Sequence, residues 1–367
     1  MSTFKSFFIS RWGIIFAGAF VGLFAPILQK LGNPGNMGIC VACMERDIAG
    51  ALGLHRAAVV QYIRPEIIGF VLGALIAAFA FKEFRPRGGS SPLIRFFLGI
   101  FAMIGALVFL GCPWRALLRL AGGDGNAIVG LAGLTAGIWI GVLFLKSGYT
   151  LGRSQKEMKF SGWIFPAAMT ALLLLLLVAP QLGRTAEGAP AGPIFFSQKG
   201  PGSQHAPLLI SLVVGLAVGF LAQRTRLCTM GAIRDLILIR NTHLLGGILG
   251  ILITAFLVNL LLGQFKAGFS DQPIAHTNQP WNFLGMALSG LAFVLAGGCP
   301  GRQLFLAGEG DGDAAVFATG MIVGAGFAHN FSTASSAAGP GPFGPIAVII
   351  GLTFCVVVGF AMREKIA

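Results

Sequence analysis

Ten long apolar segments, roughly 12–31, 64–81, 94–111, 127–146, 162–182, 207–223, 243–263, 282–299, 314–331 and 344–362, dominate this chain of 367 residues. Each is about the length a helix needs to cross a hydrocarbon core ~30 Å thick. Charged residues make up 11% of the chain against 55% hydrophobic, too few to coat a soluble globule. The expected fold class is an all-α polytopic membrane protein. The first segment runs on without a small-residue cleavage site before a Gly-rich loop, so an uncleaved span is expected rather than a secretory signal.

The formal charge of +13 is spread over short loops and forms no long basic tract, which argues against a nucleic-acid partner and for a topology signal. With both termini in the cytoplasm, the inside set holds Lys5, Arg11, Lys82, Arg85, Arg87, Arg95, Lys146, Arg153, Lys156, Lys159, Arg224, Arg226, Arg234, Arg240, Arg302, Arg363 and Lys365, 17 of the 26 basic residues. The long Gly/Pro-rich loop from Leu182 to Pro207 is nearly uncharged and falls outside, as expected for a translocated segment.

The chain also repeats itself. At an offset of 187, Gly111-Cys-Pro-Trp-Arg matches Gly298-Cys-Pro-Gly-Arg, which aligns Cys112 with Cys299, Arg115 with Arg302 and Asp124 with Asp311. At an offset of 188, Cys40 aligns with Cys228, Arg46 with Arg234 and Asp47 with Asp235, while Cys43 faces Gly231. The corresponding first spans lie five crossings apart, and an odd number inverts the second copy. About ten transmembrane helices in two inverted repeats are expected, with short broken or re-entrant helices at the Cys motifs, an arrangement common among secondary transporters. The divisions are 1–150 for the first repeat, 151–206 for a linker span and outer loop, 207–335 for the second repeat and 336–367 for a C-terminal span.

Proline suits the first turn of a helix, so Cys112 and Cys299 are expected at helix N-termini, where unpaired N–H groups and the dipole attract anions. Arg115, Arg302, Arg46 and Arg234 can add to that positive field. Asp124 and Asp311 read as turn residues, Asn126 and Asp313 as N-caps, and Asp47 and Asp235 as caps or partners of the neighbouring arginines. Convergence of the breaks predicts a constricted path lined by Cys40, Cys112, Cys228 and Cys299, open to water on both faces. Cys355, inside the last segment, reads as an apolar filler. The five histidines show no metal spacing, no cofactor is indicated, and the absence of a Walker-type loop implies transport without ATP. Carboxylates for a proton relay are not anticipated within the spans.

These motifs, with the trailing Gly-Asp-Gly and the duplication, resemble the YeeE/YedE family of bacterial sulfur-compound transporters over nearly the whole chain. The stretch Gly-Asn-Met-Gly-Ile-Cys-Val-Ala-Cys-Met-Glu-Arg-Asp, residues 35–47, looks like the YedE branch associated with selenium metabolism. The resemblance implies an hourglass-shaped protein of the bacterial inner membrane that passes a small sulfur or selenium anion along by S–H···S contacts. A cytoplasmic sulfurtransferase-type acceptor is implied as partner, and Cys40, Cys112 and Cys299 match the family's functional cysteines. Thiols suit such cargo because sulfur is soft and a weak donor, and weak successive contacts permit release. Two other classes use the same residues: a thiol–disulfide oxidoreductase built on Cys40 and Cys43, and a Cu(I) carrier using Met37, Met44 and Met230.

Overall fold

The computed structural model describes residues 7–178 and 194–364, so Lys5, Lys365 and the 182–193 part of the 182–207 loop lie outside the described residues. The first half contains α1 (Arg11–Lys30), α2 (Val41–Ala51), α3 (Pro65–Ala80), α4 (Pro92–Phe109), α5 (Pro113–Ala121) and α6 (Asn126–Lys146), followed by α7 (Ile164–Val178). The second contains α8 (Leu208–Thr225), α9 (Thr229–Ile239), α10 (His243–Leu261), α11 (Gln279–Ala296), α12 (Pro300–Gly308) and α13 (Gly312–Asn330), followed by α14 (Gly344–Ala361). Every expected apolar segment is therefore helical, the segment at 162–182 as far as Val178.

Among the described residues, eight helical stretches are long and apolar enough to cross a membrane. The pairs α4–α5, α8–α9 and α11–α12 each count as one such stretch. Of the other expected spans, α3 has only 16 residues, and the polar ends of α13 lower its hydropathy. The chain is a multi-pass, all-α membrane protein, and large apolar side chains such as Trp12, Phe16, Leu257 and Ile350 remain exposed on its outer surface, where lipid replaces protein as the neighbour.

The halves interleave. Helix α1 packs on α10 and its repeat mate α8 on α3; α4 packs on α13 and its mate α11 on α6; α4 and α11 cross each other. Exchanging the halves maps this packing onto itself, with α5 on α10 answered by α12 on α3 and α2 on α13 answered by α9 on α6. Two helices depart from the pattern: α7 lies on α3, whereas α14 lies on α4 and α11.

Small residues permit these close crossings, since lipid supplies no hydrophobic drive between helices and van der Waals contact must do it. A Cβ on Gly18 would run into the Gly247 carbonyl of α10, and one on Gly73 into the Leu216 carbonyl of the mated pair.

Loops lock the two faces in the same mated way. Arg87, between α3 and α4, bridges to Asp311 between α12 and α13, while Gly268, between α10 and α11, bridges to Asp124 between α5 and α6. The first of these faces is basic. There a two-residue antiparallel ladder joins β1 (Arg87–Gly88) to β2 (Gln155–Lys156), Glu83 pairs with Arg224 at 2.8 Å and Arg226 at 3.0 Å, and Tyr149 bridges to Arg363.

The caps differ from expectation. Asp311 is the N-cap of α13 and accepts from Ala314 N–H, while Asp124 accepts from Asn126 N–H ahead of α6. The helices start where those carboxylates reach their orphan N–H groups. Asp313 instead accepts from Ser90 N–H across the half boundary, and Asn126 donates to the Phe269 carbonyl.

Candidate functional site: two thiol pairs at helix starts

Each repeat brings its own two cysteines together. Cys40 Sγ lies 3.8 Å from Cys112 Sγ, and Cys228 Sγ lies 3.5 Å from Cys299 Sγ. These are S–H···S distances, far beyond the ~2.05 Å of a disulfide. All four are free thiols at the N-caps of α2, α5, α9 and α12.

The two members of a pair do different work. Cys40 Sγ accepts from Cys43 N–H at 3.4 Å, and Cys228 Sγ from Gly231 N–H at 3.3 Å, so these sulfurs cap their helices as a serine oxygen would. With its lone pair committed, each can direct its own S–H at the neighbouring sulfur. Cys112 and Cys299 make no side-chain cap bond, and Pro113 and Pro300 fill the first helical position, where a missing N–H is no loss. Their thiol hydrogens have no committed acceptor.

The two pairs are linked through the Gly-Cys-Pro helix starts. Trp114, two residues past Cys112, lies with Cζ2 3.5 Å from where a Cβ on Gly301 would stand, two residues past Cys299. Phe70 of α3 and Phe305 of α12 close around it, with ring centroids 5.9 and 6.0 Å from the indole. Trp114 and Gly301 are repeat mates, so one bulky ring fills the space that two would overfill. The sequence contained that cue in Gly-Cys-Pro-Trp against Gly-Cys-Pro-Gly, yet neither Trp114 nor the two phenylalanines was anticipated.

The arginines divide by half. Arg115 is fully buried, and its guanidinium is spent on carbonyls: Leu110 of the α4–α5 break, Asn36 at 3.2 Å and Ile274 at 3.2 Å, with Nη1 also 3.4 Å from Cys43 Sγ. Leu110 adopts a left-handed conformation (φ 65°) at the position where the repeat mate is Gly297 (φ 87°). A leucine there costs roughly 1 kcal/mol, and the contact with Arg115 offsets it. Arg46 is buried and held by Asp47 at 2.7 Å, whereas Arg234 pairs with Asp235 at 2.8 Å in a half-exposed position. Arg302 is the least committed: its Nη1 is 3.5 Å from Glu309 and makes no hydrogen bond.

The thiols are closed off from water. Cys40, Cys112, Cys228 and Cys299 are buried, the most exposed at 5%. The expected openings on both faces do not reach them, because the loop at 263–278 is tied down by Arg115 on one side and Glu309 draws Arg302 and Arg226 together on the other.

A sulphur-transport family model matches residues 224–361. The chain is 32% identical over 99 residues to the thiosulfate transporter TsuA of Spirochaeta thermophila, and 32% identical over 105 residues to the thiosulfate transporter TsuA of Escherichia coli. Those stretches cover 27% and 28% of this chain and span 29% of the length of each relative. The uncharacterized protein MJ1590 of Methanocaldococcus jannaschii is 32% identical over 99 residues, which is 24% of this chain and 94% of that protein. With one relative matched over nearly its full length and residues 224–361 matched by the family's own pattern, the chain belongs to the YeeE/YedE sulphur-transport family.

Proposed function

We propose that this protein carries a small anion with a terminal sulfur or selenium atom, thiosulfate or a selenium analogue, inward across the bacterial inner membrane without catalysing its conversion. The reading rests above all on the two thiol pairs, each with one uncommitted S–H at a helix start. A soft terminal atom accepts from Cys112, passes the Trp114 constriction and is taken by Cys299, while helix N-termini balance its charge. Weak thiol contacts hold the anion long enough to select it and let it go. Each negative charge moved inward against 100 mV costs about 2.3 kcal/mol, so a dianion needs a driving force. In the closed form seen here the Arg115 guanidinium is held by carbonyls and that of Arg46 by Asp47, which leaves Arg302 to meet the anion on the basic side. A cytoplasmic sulfurtransferase-type acceptor would take the cargo there.

The inverted-repeat reading gives the basic face to the cytoplasm and both termini with it. A reporter fused after Lys199 is expected to read periplasmic and one after Arg87 cytoplasmic. Swapped readings would reverse the direction assigned to the path.

The contrast between Cys40 and Cys43 separates transport from thiol–disulfide exchange. Alanine at Cys43 leaves its main-chain N–H on Cys40 Sγ, so uptake should stay within about threefold, whereas Cys40→Ala removes a sulfur of the pair and should lose about tenfold or more. Equal losses, with a Cys40–Cys43 disulfide that forms and breaks during turnover, would favour the oxidoreductase. Uptake of labelled thiosulfate and of reduced selenium species into cells that depend on this protein decides the cargo.

A further inference from the structure

Glu45 sits in the middle of α2, the helix capped by Cys40, and is completely buried. Neither of its carboxyl oxygens has a hydrogen-bond partner, which is true of no other buried carboxyl among the described residues. An isolated carboxylate in such a site is prohibitively costly, whereas the neutral acid costs far less. The fold does not demand an acid there: at the offset that aligns Cys40 with Cys228, Glu45 aligns with Ile233. Nor is a counter-charge concealed nearby. On its own helix, Arg46 and Asp47 hold each other, with Arg64 on the far oxygen of Asp47. On α3, Glu66 takes Asn33; on α4, Arg95 takes Ser90, Ala296 and Asp313; on α12, Arg302 faces Glu309. On α13, Asp313 accepts from Ser90, while the His329 ring lies against His55, tilted by 35° with centroids 4.5 Å apart, and His55 itself is bonded to the Arg46 carbonyl.

We propose that Glu45 carries a proton with each anion, making this protein a proton–anion symporter. The proposal rests on the transport reading above and supplies part of the driving force that reading lacks. In the outward-open form the Glu45 carboxylate takes a proton from the outer water. The structure holds the resulting acid; after the closed protein opens inward, the acid releases its proton to the cytoplasmic water. One proton per cycle reduces the charge carried by a dianion from two to one. Exchange of one anion for another needs no proton release, so a neutral group at residue 45 supports it.

The test uses the purified full-length protein in phosphatidylethanolamine–phosphatidylglycerol vesicles with thiosulfate as probe. Two readouts are followed: exchange of labelled for unlabelled thiosulfate at equal pH, and, with the outside one pH unit more acid, accumulation together with an internal pH dye. The wild type should exchange, should acidify on thiosulfate addition, and should accumulate up to about tenfold more than at equal pH, the ratio one proton sets. Glu45→Gln should keep exchange within about twofold while losing both acidification and pH-driven accumulation, and Glu45→Asp should restore acidification. Wild-type exchange without proton entry would overturn the proposal, whatever the variants do, as would a Gln variant that still acidifies and accumulates. Absence of thiosulfate exchange in the wild type would instead overturn the transport reading.

Discussion

Serine at Cys112 or at Cys299 is expected to lower uptake of thiosulfate or its selenium analogue by roughly ten- to a hundredfold, a loss of about 1.4–2.7 kcal/mol of selective stabilisation, with membrane insertion unchanged. The substitution preserves an O–H donor of similar shape and removes only the soft sulfur. Because neither cysteine caps its helix through its side chain, the helix starts keep their proline-led geometry without it. Sulfate has the same charge as thiosulfate and a similar size, so helix ends and arginines discriminate poorly between the two, and the thiols must do so. Sulfate should accordingly fail to compete with labelled thiosulfate in the wild type. Full uptake in both serine variants would reduce these cysteines to packing residues and leave the helix-end field as the sole source of selectivity.

The apolar segments were legible because a bilayer imposes length and hydrophobicity on any helix that crosses it. So was the correspondence between Cys40 and Cys228, since duplication leaves an offset that counting reveals. Which thiol meets which was not legible. Cys40 and Cys112 are 72 residues apart and come within 3.8 Å because the tertiary fold brings the starts of α2 and α5 together. No periodicity encodes that meeting. The arginines show the same limit: Arg115 and Arg302 are equivalent in sequence, but Arg115 is clamped by Leu110, Asn36 and Ile274, whereas Arg302 retains an unbonded nitrogen.

Carboxylates were misjudged for a related reason. A short helix such as α2, 11 residues long and carrying Glu45, Arg46 and Asp47, has the composition of a surface turn. Its burial follows from the helices of the other half closing over it, above all α13. That is a tertiary effect, invisible in local composition. The expected caps Asn126 and Asp313 fall one and two residues past the actual N-caps, Gly125 and Asp311, the usual uncertainty of a helix boundary.

Burial, not repeat position, should also decide what the two aligned aspartates are worth. Asp47 accepts from Arg46 on one oxygen and from Arg64 on the other, each at 2.7 Å, and no member of the triad is more than 3% exposed. Arg64 in turn ties the carbonyls of Pro201 and Gln204 to the start of α3. Asp47→Ala would strand two guanidiniums away from water, and breaking a buried pair in this way costs about 3–5 kcal/mol. Asp235, its repeat mate, meets only Arg234, with the two side chains 20% and 31% exposed. Water and salt can replace that partner, so Asp235→Ala should cost about 0–1 kcal/mol. Thermal unfolding of the two purified variants in the same detergent is expected to show a drop of several degrees for Asp47→Ala and little change for Asp235→Ala. Similar melting temperatures for both would mean that the Arg46–Asp47–Arg64 triad is not what fastens α2 to α3, and that the loop at residues 201–204 is held by its backbone contacts alone.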